Sequence, residues 1–152
     1  MKLAEALILR ADTKKRFDQV RNRLVANSKV QEGDKPVEKP EALIKELEET
    51  AVEFEQLLKA INKTNSLTPF SKGKTITDAL AERDTLALRG NALRAVASEV
   101  TDKDIRWGRQ EIKFVRTVDG AKIQKLADDI AKKYREHDTK IQELNWKTDL
   151  VD

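Results

Sequence analysis

The sequence predicts a mainly α protein, four long antiparallel helices in a coiled-coil-like bundle with a short β-like segment between the third and fourth. Three observations carry that expectation. Between Asp119 and Trp146, the residues Ile123, Ala127, Ile130, Tyr134, His137, Ile141 and Leu144 recur at an unbroken 4-3-4-3-4-3 spacing, the seam of a helix packed lengthwise on others. Charged residues make up 38% and aromatics 5% of the chain, which suits helices that bury a narrow stripe better than a wide globular core. Only five Gly and three Pro are present, few enough to leave long helices uninterrupted. A length of 152 residues fits one helical domain, 1–152, with connecting segments at 64–75 and 102–118 that have room for a short β-ribbon.

The first helix is expected from about Lys2 to Ser28, with Leu3, Leu7, Phe17, Val20 and Leu24 on one face and Arg10, Lys14 and Arg21 interrupting it. Its opening turns (Leu3, Ala6, Leu7, Ile8, Leu9) are apolar nearly all round, which predicts burial on two sides. Gly33 and Pro36 end it. The second helix starts near Pro40, a residue suited to the first turn, and carries Leu43, Leu47, Ala51, Phe54, Leu58 and Ile61 as its stripe. Arg10 to Arg23 holds six bases and two acids, and Glu41 to Ile61 six acids and two bases. Opposite signs on consecutive helices favour an antiparallel hairpin, since the charges select orientation even where each exposed pair stabilises little.

Asn62 to Lys74 reads as a linker, with Asn62, Thr64 and Asn65 as cap and turn formers and Pro69 and Gly73 as breakers. Thr75-Ile-Thr-Asp78 opens the third helix in the manner of a capping box. That helix runs to about Val100 on Ile76, Leu80, Ala87, Leu93, Val96 and Val100, with small residues Ala79, Gly90, Ala92 and Ala97. Gly90 costs about 1 kcal/mol relative to Ala in a helix interior, which points to close approach by a neighbouring backbone. Glu111-Ile-Lys-Phe-Val-Arg-Thr-Val118 is rich in β-branched and aromatic residues and reads as a strand. It would pair with Leu67–Ile76 or with another subunit. Asp119 then caps the fourth helix, in which acids and bases balance, and the last six residues are expected to fray.

Signals for chemistry are few. Zero cysteines exclude disulfides and thiol catalysis, and one His leaves only carboxylate-rich metal sites. Walker A, G-x-G-x-x-G, G-x-S-x-G and Glu-x-x-His patterns are absent, so the expectation is a non-enzymatic protein without cofactor or metal. The net charge of +3 neither demands nor excludes nucleic acid. Arg106, Arg109, Lys113 and Arg116 cluster around Trp107 and Phe114. Cations beside aromatics suit phosphate or single-stranded nucleic acid, and equally a subunit contact. His137, in the seam, is either a pH switch or a satisfied, partly buried side chain. The opening apolar run is broken by Glu5 and followed by Lys14-Lys15-Arg16 at helical spacing, unlike a signal peptide. No stretch approaches transmembrane length, so a cytoplasmic location is the default.

Four segments, Ile61-Asn-Lys-Thr-Asn65, Ile76-Thr-Asp-Ala-Leu-Ala-Glu-Arg-Asp84, Glu111–Asp119 and Lys133–Trp146, resemble the septicolysin-like family of small bacterial proteins. The resemblance implies a largely helical protein without an established biochemical activity. It also implies an apolar residue where His137 stands, in favour of a core role, and a larger residue than Gly120 at the start of the fourth helix, which its absence would loosen. Two helices apolar on more than one side predict a structural or interaction protein that assembles as a helical homo-oligomer. The alternatives are an RNA-binding helical hairpin and, as the resemblance implies by name, a pore-forming cytolysin.

Overall fold

The computed structural model describes residues 1–101, 112 and 114–151. Among these, the elements are α1 (Leu3–Ala26), α2 (Pro40–Leu67), β1 (Pro69–Ser71), β2 (Lys74–Thr75), α3 (Ile76–Thr101) and α4 (Gly120–Lys147). The protein is mainly helical, with four helices and one two-stranded antiparallel sheet. The backbone forms two compact units, unit 1 from Met1–Ile76 with Gln142–Asp152 and unit 2 from Thr77–Ile141.

Among the described residues, the strands fall between α2 and α3. Pro69 pairs with Thr75 and Ser71 with Lys74, joined by the two-residue turn Lys72-Gly73. Gly73 has φ +75°, which a side chain would oppose. Of the segment expected as a strand, residues 114–117 carry no regular secondary structure and are exposed. β-propensity expresses packing against a partner strand, and none of the described residues pairs with this stretch. The second helix also runs past its expected end, through Asn62 and Thr64 to Leu67.

Burial within each helix follows alternating three- and four-residue steps. In α2 the buried or half-buried positions include Leu43, Leu47, Thr50, Phe54, Leu57, Ile61 and Thr64. In α1 they include Leu3, Ala6, Thr13, Phe17, Val20 and Leu24, with Arg10 half-buried in the same series. Three of these positions are threonines that an apolar stripe passes over. A threonine has the shape of valine and can return its hydroxyl to the carbonyl one turn back. Thr50 donates to Glu46 O at 2.7 Å and Thr64 to Ala60 O at 2.8 Å, while Thr13 donates to the Glu53 carboxylate at 3.3 Å.

In unit 1, α1 and α2 form an antiparallel hairpin with paired charges along its edge. Arg16 pairs with Glu53, and Arg23 with Glu38 and with Glu46. Asn27 closes the end of α1, donating its side chain to Arg23 O at 2.9 Å. Its side-chain oxygen accepts the Glu38 amide at 3.0 Å, tying the incoming loop to the helix end. The hydrogen bond from Arg23 and its charge hold the Glu38 carboxyl below the usual carboxylate range despite partial burial, and the same bond raises the Arg23 guanidinium.

Residues 148–151 are held by hydrogen bonds, where fraying was expected. Leu3 N donates to Thr148 O and Leu150 N to Met1 O, each at 2.9 Å, a short antiparallel bridge centred on Lys2 and Asp149. Lys2 adds an ion pair to Asp149 at 2.8 Å. Val151 N then donates to the buried Thr64 hydroxyl at 2.9 Å. Backbone donors that leave water need such acceptors, and Thr64 supplies one from inside α2.

Two outcomes follow for unit 1. Thr64→Val keeps the shape but orphans the Val151 amide, so urea denaturation should show a loss of about 1–2 kcal/mol, with faster amide exchange at Val151. Because the Glu38 carboxyl is depressed in the fold, its contribution is present above the ordinary value of 4.5 and fades as pH falls through the folded value. Glu38→Gln should therefore lower the melting temperature at pH 7 by more than it does at pH 3.

Candidate functional site

In unit 2, α4 runs antiparallel to α3. Asp119 caps α4, its Oδ1 accepting the amides of Ala121 at 3.0 Å and Lys122 at 3.3 Å. At the helix start, a Cβ on Gly120 would stand 3.1 Å from Val100 Cγ1. The missing side chain therefore allows close packing rather than loosening the helix. Further along, Gly90 faces Ile130, and at the far end Ala79 and Arg83 meet His137 and Asp138.

His137 Nε2 lies 2.9 Å from Ala79 O. A carbonyl only accepts, so this nitrogen carries the proton and donates. The Glu82 carboxylate stands 3.5 Å from the same nitrogen. Beside it, Arg83 donates to Asp138 at 3.1 Å and also reaches Asp84. Burial works against the Arg83 charge, but these hydrogen bonds outweigh it and raise the guanidinium above its ordinary value. The ring nitrogen is thus spent on backbone at the α3–α4 contact, the arrangement of a satisfied seam histidine.

Halfway along the same pair of helices is a groove of about 320 Å³. Gly90, Ala87, Ile130 and Ala131 form its floor, and Asn91, Arg94, Tyr134 and Arg135 stand around it. Arg94 donates to Asn91 Oδ1 at 2.5 Å. Neither Arg94 nor Arg135 has a carboxylate partner among the described residues. A second groove, about 440 Å³, lies in unit 1, where Leu9, Leu57, Ala60 and Leu150 make an apolar surface bordered by Glu53, Lys59 and Lys63.

The residues singled out from sequence divide sharply. Arg106, Trp107, Arg109 and Lys113 lie outside the described residues, while Arg116 is exposed and Phe114 is 82% exposed. That cluster as a whole therefore lies outside what the described residues cover. Of the seam positions, Ala127, Ile130 and Ile141 are buried, and Ile123, Tyr134, His137 and Leu144 are half-buried. Sequence reasoning missed both grooves, although Gly90, noted for its cost in a helix, lies on the floor of one. Among the described residues no group of three or more His, Asp and Glu is placed to hold a metal ion. No helix among them is long and apolar enough to cross a membrane.

The fold and its sites define a mainly helical protein with a short β-hairpin and surface grooves. The chain belongs to DUF6847, a family of unknown function whose model matches residues 10–150. It is also similar to a functionally unknown conserved protein from Corynebacterium diphtheriae, known from its crystal structure. The two are 43% identical, with a TM-score of 0.94 over 99% of each chain. No curated protein matches. These findings overturn the resemblance to the septicolysin-like family: the matching model spans nearly the whole chain and belongs to a different family.

The His137 contact is open to direct measurement. His137→Leu removes the donor to Ala79 O and should cost about 0.5–1.5 kcal/mol in urea denaturation, whereas His137→Gln, which retains a side-chain donor, should lose less.

Proposed function

We propose that this protein is a non-enzymatic interaction protein that assembles as a helical homo-oligomer through its first helical hairpin. The observation that carries this reading is the exposure of apolar residues on the opening turns of α1. Ile8 is 54% and Leu9 36% exposed, although the sequence there is apolar nearly all round. Leu3 and Ala6 fill the fold from one side of the helix. Leu9 instead opens onto the unit 1 groove with Leu57, Ala60 and Leu150. Apolar surface rimmed by polar groups marks association sites.

The occupant that best fits this groove is a second copy of the same chain. Its border carries both signs, Glu53 against Lys59 and Lys63. A twofold contact presents the same patch to itself, and a mixed border lets acid meet base where a single-sign border would repel. A stable contact of this kind buries about 1,200–2,000 Å² in total, within reach of two helices of 24 and 28 residues.

Size-exclusion chromatography with light scattering tests the reading. At about 100 µM, a concentration that populates even a weak dimer with a micromolar dissociation constant, the mass should be at least twice the 17.3 kDa of one chain. Ile8→Lys combined with Leu9→Lys, both at exposed positions, should return it to a monomer with unchanged helical circular dichroism. A wild-type monomer at that concentration would end the proposal.

A further inference from the structure

We propose that the unit 2 groove between α3 and α4 binds a small amphipathic carboxylate, its apolar body on Gly90, Ile130 and Ala131 and its carboxylate between Arg94 and Arg135. The inference is independent of self-association, since the groove lies in a different unit from the apolar patch at Leu9.

Three features of the groove point the same way. Its volume of about 320 Å³ falls at the lower end of small-molecule sites, which are mostly apolar with a few placed polar groups. Its charge is of one sign. Arg94 and Arg135 both stand at it, no acid among the described residues lines it, and neither guanidinium has a carboxylate partner among the described residues. On a helix an acid three or four residues away would neutralise an arginine. Here the positions four back are Gly90 and Ala131, both part of the groove floor, and the acid three on from Arg135, Asp138, is paired with Arg83. Guanidinium groups recognise carboxylates in fork geometry, so an anionic head on an apolar body supplies the carboxylate that these two arginines lack among the described residues.

The third feature is Gly90 itself. A Cβ there would stand 3.4 Å from Ile130 Cγ2 and 3.5 Å from Arg94 NH1, ordinary contact distances. Packing of α4 on α3 therefore does not require glycine, although glycine weakens the helix. What its missing side chain does produce is depth in the groove.

Decanoate below its micelle concentration, with decanol as the uncharged control, tests the proposal by titration into the full-length protein under two-dimensional amide NMR. Decanoate should give saturable shifts centred on Gly90 and Ala131, with decanol at least about tenfold weaker. Arg94→Gln with Arg135→Gln should weaken decanoate about tenfold or more. Gly90→Ala should weaken it several-fold while raising the melting temperature, so the loss cannot come from a damaged fold. Absence of saturable shifts, equal binding of decanol, or full binding by either variant would overturn the assignment.

Discussion

With 38% of its residues charged, each helix of this chain has only a narrow apolar stripe to remove from water, and the architecture follows from that scarcity. A stripe of alternating three- and four-residue steps is hidden by a neighbour lying along it. The hairpin of α1 and α2 in unit 1 and the antiparallel α3 and α4 in unit 2 are the two instances. The stripe does not need to be wholly hydrocarbon. Thr13, Thr50 and Thr64 are buried in it because each hydroxyl has a partner within reach, so burial costs no unpaired polar group.

That substitution also explains what could be read in advance. The seam of α4 was legible from Ile123 to Leu144 because nearly every position in it is apolar. In α1, α2 and α3 the same periodicity is present but carried partly by threonine, by Arg83 and by Gly90, which a count of apolar residues discards. Opposite charge on α1 and α2 was legible too, and it appears as the pairs Arg16 with Glu53 and Arg23 with Glu46. Misreadings arose where structure depends on a distant partner. The hydrogen-bonded stretch 148–151 rests on Met1, Lys2 and Thr64, far away in sequence. The expected strand near Phe114 rested on propensity alone, while the observed ribbon needs little more than a glycine turn between two short strands.

The candidate sites were less legible than the fold, for a related reason. A groove is a property of what surrounds it, and neither Leu9 with Leu150 nor Gly90 with Ile130 is adjacent in sequence. The cluster of bases and aromatics around Trp107 lies mostly outside the described residues. The one sequence signal that did point to a groove was energetic: a glycine in the interior of a long helix.

Departures from the apolar seam therefore divide into two kinds. Thr50, Thr64, Arg83 and His137 each bring a polar group to the helix contact, and each has a partner that accounts for its presence. They hold the fold and leave nothing over. Gly90 brings nothing: it forms no side-chain bond, and the nearest atoms would tolerate a methyl group. In a chain so short of buried apolar surface, a methyl at that position would help both the helix and the contact. Its absence leaves a cavity bounded by two arginines without carboxylate partners among the described residues, so the feature least explained by stability is also the one whose chemistry best matches a ligand.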